Sequence, residues 1–336
     1  MEIAGRIALL DPSVVDQIAA GEVIERPASV VKELLDNALD AGATRISVDA
    51  VEGGRGLIRV ADDGCGMSGD EALLSLSRHA TSKLRVADDL TRIETLGFRG
   101  EGLAAVAAVS RLTIETRRDE DSAGWRVSCD GGGKASRAPT ARGRGTTVSV
   151  RDLFFNTPAR LKFLRSKAAE TAHITEMCVR IACGFPRVRF TLRHGDRVAL
   201  ELPAAADRLG RARAVVGRHA AELAHARLER GPMAVEICLA APHAATRTAR
   251  QLTVLVNGRP VRERRLQQAV ANGYVSDCAT SAGTPFQLAT APVQYDEQPA
   301  QALRAPEFNE HGDALLEELG LDWDTIVDLK VRGVVA

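Results

Sequence analysis

Val30-Val31-Lys32-Glu33-Leu34-Leu35-Asp36-Asn37-Ala38-Leu39-Asp40-Ala41-Gly42 is the stretch around which the chain is arranged. It predicts a helix. Pro27 and Ser29 stand near its start, and Gly42 stands where a helix-ending glycine belongs. Val31, Leu34, Leu35, Ala38 and Leu39 recur at helical spacing, so one face is apolar and buried. Glu33, Asn37 and Asp40 share another face. Two readings of that face are open. It is the solvated side of an amphipathic helix, or it is a metal–water–phosphate site in which Glu33 polarises a water and Asn37 offers an oxygen to Mg²⁺.

Working outward, Asp11-Pro12-Ser13 followed by Val14, Val15, Ile18 and Ala19 predicts a short helix ending at Gly21. After the central helix, Thr44–Asp49 and Leu57–Val60 alternate as strands around Glu52-Gly53-Gly54-Arg55-Gly56, a hairpin. The second strand runs into Asp62-Asp63-Gly64-Cys65-Gly66-Met67. An acid at a strand end before Gly-x-Gly lets a planar ligand approach the backbone, and Asp62 could accept a hydrogen bond from an exocyclic amine such as that of adenine. A plain acidic turn is the alternative. Asp70–Ser77 reads as helical, and His79-Ala80-Thr81-Ser82-Lys83 as a polar loop whose lysine is solvated or phosphate-binding. Leu96-Gly97-Phe98-Arg99-Gly100-Glu101-Gly102-Leu103 is a glycine-rich loop opening an apolar helix through Val109, a junction that presents N–H groups to an anion or is simply a surface loop. It fits neither a Walker A loop nor a Rossmann fingerprint. Strand-like runs follow at Arg111–Thr116, Gly124–Cys129 and Gly145–Val150, then Leu153–Arg160 leads into a helix through about Cys183. Further strands at Arg189–Leu192, Val198–Leu200, Val235–Ala240 and Leu252–Val256, with helices at Leu209–Val216 and Arg262–Gly273, make a second domain.

The 336 residues suggest about two domains, and a hydrophobic fraction of 45% supplies an ordinary core. Net charge is zero but uneven: residues 280–336 hold ten acids against Arg304, Lys330 and Arg332, a net of −7, leaving +7 on residues 1–279. A modestly basic body is compatible with nucleic acid. Cys65, Cys129, Cys178, Cys183, Cys238 and Cys278 show no metal spacing and read as reduced thiols. No signal pattern or membrane-length apolar run is present in the sequence, so a cytoplasmic, nucleoid-associated location without membrane partners is expected.

Taken together, Glu33-x-x-x-Asn37 with Asp40-Ala41-Gly42-Ala43, Asp62-x-Gly64-x-Gly66, Gly97-Phe98-Arg99-Gly100-Glu101 and Gly145-Thr146 resemble, in order, the motifs of the GHKL ATPases. Gln17–Pro27, Arg78–Lys83 and Phe155–Arg160 are similar to the DNA mismatch-repair members of that family. The resemblance covers residues 5–275. It implies an α/β (α+β sandwich) fold: a Bergerat-type ATP-binding domain at residues 1–187, then a ribosomal-S5-like second domain at 188–279. It implies ATP and Mg²⁺ as ligands, Glu33 as the general base and Asn37 as the metal ligand. Asp62 would hold the adenine amine, with Gly64, Gly66 and Met67 beside the base. Thr81, Ser82, Lys83 and Gly97, Phe98, Arg99, Gly100, Glu101, Gly102, Leu103 would form a lid over the phosphates, and Thr146 would support Asp62 or adenine through its hydroxyl. Implied partners are DNA, read without sequence specificity, mismatch-recognition and other repair proteins, and a second copy of the chain when ATP is bound. Arg259, Arg262, Arg264 and Arg265 make a dense basic run that could meet DNA phosphates or form a solvated helix start.

The chain departs from the family in places. Gly102 replaces the usual alanine, loosening its helix by up to about 1 kcal/mol. Asp63 stands for asparagine and Asp36 for glutamate. After about Tyr274 the expected Asp-Val-Asn-Val-His-Pro-x-Lys motif, whose lysine reaches the γ-phosphate in the family, is missing; the only lysine after Lys167 is Lys330. A C-terminal dimerisation domain has no counterpart in these residues. Residues 283–336 instead resemble the tail of a class III CoA-transferase, so 280–336 is expected to be a short helical tail of other origin.

Overall fold

The computed structural model describes residues 10–81, 96, 100–217, 223–231, 233–239, 253–261, 275–279, 285–289, 322 and 327. The chain divides into two compact units, Met1–Val261 and Arg262–Ala336.

The first unit opens with α1 (Pro12–Val23), which runs past Gly21, and α2 (Pro27–Asp40). Pro27 occupies the first turn of α2, where a missing N–H costs nothing, and Gly42 follows its end at φ +71°. The hairpin β1 (Arg45–Val51) and β2 (Leu57–Asp62) comes next, turned by Glu52–Gly54. Then follow α3 (Gly69–Leu74), α4 (Gly102–Ala108), β3 (Arg111–Arg117), β4 (Gly124–Asp130), β5 (Ser136–Thr140) and β6 (Gly145–Arg151). Helices α5 (Pro158–Phe163) and α6 (Lys167–Gly184) lead to β7 (Arg189–His194), β8 (Arg197–Leu202) and α7 (Arg208–Val216). Two hairpins complete the described part of this unit: β9 (Ala224–Arg230) with β10 (Met233–Leu239), and β11 (Val254–Val256) with β12 (Arg259–Val261). In the second unit β13 (Val275–Ala279) pairs antiparallel with β14 (Pro285–Ala289).

Strands β5-β4-β3-β6-β2-β1-β7-β8 form one eight-stranded sheet, antiparallel except for the β1–β7 pair. Alternation sorts its two faces. Ile46, Val48, Ile58, Val60, Leu112, Ile114, Val148, Val150, Phe190 and Leu192 are buried in one core with Val31, Leu34, Leu35 of α2 and Ile174, Ile181 of α6. The intervening Ser47, Arg59, Thr113, Ser149 and Thr191 are half-buried on the other face. Helices therefore cover one side of a mixed sheet, as expected.

The structure differs from the sequence reading in three places. Strands β7 and β8, read from the sequence as opening a second domain at Val188, extend the first sheet, with β7 alongside β1. The stretch read as Leu153–Arg160 leading into one helix through about Cys183 holds two helices, because Leu164 turns extended at ψ 142° and Ser166 caps α6 by accepting from the Ala169 N–H. Strand β5 was not legible: it is an exposed edge strand containing Pro139, with no apolar alternation. The predicted helix at Arg262–Gly273 lies outside the described residues.

The hairpin is stapled at its mouth by Asp63. Its Oδ1 accepts from the N–H groups of Thr44 and Arg45, both at 2.8 Å, and its Oδ2 from the Thr44 hydroxyl at 2.7 Å and Arg45 Nε at 3.1 Å. Partial burial opposes the charge, but these donors outweigh it and pull the carboxyl from its ordinary 3.8 to about 2. Protonation thus favours the unfolded chain. The contribution is complete above the ordinary carboxylate range and is lost as pH falls toward about 2. Asp63→Ala should cost about 1–2 kcal/mol at neutral pH, since the clamp is partly solvated. Denaturant titrations of both proteins should converge as pH is lowered through that window; a constant difference would remove Asp63 from this role.

Candidate functional site

Helix α2 presents Glu33, Asn37 and Asp40 as a half-buried row beside its buried apolar face. Glu33 Oε1 lies 3.5 Å from the Lys32 ammonium, which also donates to Asp36 Oδ2 at 2.8 Å. Burial pushes the Asp36 carboxyl up against the pull of Lys32. Burial likewise works against the Lys32 charge, but Asp36 and Glu33 outweigh it and raise the ammonium's pKa. Asp40 Oδ1 accepts from the Leu96 N–H at 2.9 Å, fixing the first residue of the glycine-rich stretch. Gly102, at the other end, lies against Glu33: a Cβ there would fall 2.5 Å from Glu33 Oε2. The polar face is therefore more than a wet surface. It bonds Leu96 and lies close to Gly102.

The Asp62 turn sits at the end of β2. Asp62 Oδ1 accepts from the Gly64 N–H at 2.9 Å and the Thr146 N–H at 3.3 Å. Burial raises the Asp62 carboxyl, and these two donors and the Arg142 charge resist the rise. Two arginines grip the turn from outside: Arg144 Nε donates to Gly64 O at 3.2 Å, and Arg142 Nη2 to Asp62 O at 3.5 Å. The glycines serve the fold as well as any ligand. A Cβ on Gly64 would stand 2.8 Å from Ala41 O, and one on Gly66, at φ +73°, would stand 2.1 Å from Arg117 O. In this structure they make room for protein backbone. Met67 donates its N–H to Thr116 Oγ1 at 2.8 Å, and that buried hydroxyl lies 3.0 Å from Thr146 Oγ1. Thr146 thus supports Asp62 through its backbone N–H, while its hydroxyl pairs with Thr116.

Of the expected lid, Thr81 is half-buried, and Gly100, at φ +62°, backs onto the Ala80 carbonyl. Glu101 stands at the N-cap position of α4 without a side-chain cap, its carboxylate 3.5 Å from His79 Nδ1, and Leu103 packs against the core. The neighbouring Arg78 pairs with Asp16 of α1 at 2.6 Å. Ser82, Lys83, Gly97, Phe98 and Arg99 lie outside the described residues, as do Arg262, Arg264 and Arg265. Arg259 opens β12, after the turn at Asn257 and Gly258. Among the described residues no cluster of three or more histidine, cysteine or acidic side chains could hold a metal. No described helix is long and apolar enough to cross a membrane.

Residues 24–132 match the family model described as histidine kinase-, DNA gyrase B- and HSP90-like ATPase, and residues 212–292 match that of the DNA mismatch repair protein, C-terminal domain. The first contains α2, the Asp62 turn and α4 together. The chain carries a MutL-type GHKL ATPase module. It is 52% identical over 270 residues to the DNA mismatch repair protein MutL of Anaeromyxobacter sp. (strain K), covering 80% of this chain and 44% of that protein. To MutL of Heliobacterium modesticaldum it is 54% identical over 214 residues, 64% of this chain and 32% of the relative. The chain thus spans less than half the length of these MutL relatives. Among solved structures, the Aquifex aeolicus MutL ATPase domain complexed with ADP superposes with a TM-score of 0.56 at 27% identity, covering 74% of this chain and 88% of that one. The mismatch-repair match runs to residue 292, past the position 279 at which a change of origin was expected, and the tail's likeness to a CoA-transferase is not borne out.

Sequence reading missed Thr116, Arg142 and Arg144, which hold the turn from other strands and loops; Thr116 comes beside Thr146 only through the pairing of β3 with β6. Thr116→Val keeps the shape but leaves the Met67 N–H and the Thr146 hydroxyl without their shared partner. It should lower stability by about 1–3 kcal/mol. Thermal unfolding that matches the parent within error would show that the hydroxyl network carries no weight.

Proposed function

We propose that this chain binds ATP·Mg²⁺ and hydrolyses it to switch a mismatch-repair protein between conformations. The observation that carries the reading is the single face of α2 that places Glu33 and Asn37 one turn apart, beside an α4 N-terminal turn and within the same sheet-backed unit as the Asp62 turn. Adenine recognition falls to Asp62: its Oδ1 is held by Gly64 and Thr146, and its other oxygen can accept from an exocyclic amine. Asn37 would supply one oxygen to Mg²⁺, a cation that usually keeps waters and substrate phosphates as its remaining ligands. Bound there, the metal would neutralise phosphate charge. Glu33 orients and deprotonates the attacking water, and the 96–102 segment excludes solvent around the phosphates. The ADP named in the Aquifex aeolicus MutL structure supports a nucleotide in this fold.

By the same reading DNA is a partner, contacted through phosphates by Arg259, Arg262, Arg264 and Arg265, together with mismatch-recognition and other repair proteins and, with ATP bound, a second copy. A second reading, nucleotide binding with impaired hydrolysis, is favoured by one observation: no lysine lies between Lys167 and Lys330, so the family's second-domain lysine motif has no counterpart there.

Glu33→Ala should retain nucleotide affinity and lower kcat by about 100-fold or more. Parent turnover that persists in this variant would remove Glu33 from the base role; tight binding without turnover in the parent would select the second reading. Asp62→Asn should weaken nucleotide binding about 10- to 100-fold, the loss of one charge-assisted hydrogen bond. Because burial raises the Asp62 carboxyl, parent affinity should begin to fall on acidification at a higher pH than an exposed aspartate would give. Calorimetric titrations across pH check this; a flat profile down to the ordinary aspartate range would contradict it.

A further inference from the structure

We propose that Thr116, a residue walled off from solvent, is a positioning residue for adenine: it fixes the Thr146 hydroxyl as a donor toward N1 of the base, and so helps the site to choose adenine. The proposal rests on the reading of Asp62 as the acceptor for the adenine amine and adds the next atom of the base edge. Asp62, Thr146 and Thr116 stand side by side on β2, β6 and β3, with Asp62 opposite Thr146 and Thr146 opposite Thr116. The row before them on the same face, Val60, Val148 and Ile114, is apolar and buried. The sheet therefore turns polar at the row that carries Asp62. Thr116 is fully buried and Thr146 is 8% exposed, so each hydroxyl has to place its one proton on an acceptor.

Counting protons gives the hydroxyls a direction. Thr116 Oγ1 accepts from the Met67 N–H at 2.8 Å. Its own proton has two acceptors in reach, Thr146 Oγ1 at 3.0 Å and Gly145 O at 3.3 Å. The Gly145 carbonyl already accepts from Arg142 Nε at 3.1 Å, and the Thr146 contact is the shorter. Thr116 therefore donates to Thr146, and the bond it accepts from Met67 strengthens it as a donor. With that lone pair of Thr146 engaged, the Thr146 proton is left for the base held at Asp62, directly or through one water. Adenine presents an amine donor at C6 and an acceptor at N1, which a carboxylate and a donating hydroxyl complement. Guanine presents a carbonyl at C6 and an N–H at N1, so both protein groups would meet the wrong partner. Thr116 touches no ligand, yet one hydroxyl anchors both Thr146 and Met67 beside the proposed adenine position.

The experiment measures the affinity of the full chain, of Thr116→Val and of Thr116→Ser for ADP and for 1-deaza-ADP, in which N1 is replaced by C–H. One neutral hydrogen bond is at stake, so the parent should prefer ADP by about 3- to 10-fold. Thr116→Val removes the anchor and should bring that preference below about 2-fold, and Thr116→Ser, which keeps the hydroxyl, should restore it. The ratio separates positioning from a merely structural role, because a loosened turn would weaken both nucleotides alike. Equal affinities in the parent would overturn the proposal whatever the variants do. Asp62→Asn, measured alongside, tells the two readings apart. ADP affinity unchanged by Asp62→Asn would sink the adenine reading and this proposal with it. Weakened ADP binding in Asp62→Asn, with an N1 preference that Thr116→Val leaves as in the parent, would overturn this proposal alone.

Discussion

Helix α2 buries Val30, Val31, Leu34 and Leu35 against the sheet, and that packing places the groups of the candidate site. Each such side chain contributes roughly 1.5–3 kcal/mol on burial, so the helix cannot rotate to relieve anything on its polar face. Glu33, Asn37 and Asp40 are therefore presented at fixed heights. Asp40 takes the Leu96 N–H, Glu33 meets Gly102, and Ala41 O receives the Cys65 N–H at 2.9 Å from the Asp62 turn. One helix thus reaches both the glycine-rich segment and the turn proposed to hold adenine. A phosphate ester calls for this kind of rigid positioning more than for a covalent nucleophile.

Around that helix, small residues let backbones meet. Gly64 touches Ala41, Gly66 touches the Arg117 peptide, and Gly145, at φ +109°, lies against the Asp62 carbonyl. The turn is thereby fixed from α2, β3 and β6. Its half-buried Asp62 carboxylate is held by two N–H donors and an arginine charge, and beside it the buried hydroxyls of Thr116 and Thr146 pair with one another. The turn proposed to hold adenine is thus fixed by contacts within the protein.

Much of this was legible because it is local. The 3.6-residue spacing of Val31, Leu34, Leu35 and Ala38, the glycine after Asp40 and the alternation in β1 and β2 each speak for themselves. What was not legible depended on partners distant in sequence. Val188 looked like a fresh start, yet β7 runs parallel to β1 and belongs to the first sheet. Pro139 hid an edge strand. Thr116 reads as an ordinary strand threonine until β3 is laid beside β6, which brings its hydroxyl to Thr146.

The most direct test of the account is a crystal structure of this chain with Mg²⁺ and a non-hydrolysable ATP analogue. The account predicts the adenine amine on Asp62, the metal on Asn37 and the γ-phosphate within one water of Glu33. A nucleotide bound away from the polar face of α2, or with its base remote from Asp62, would contradict it.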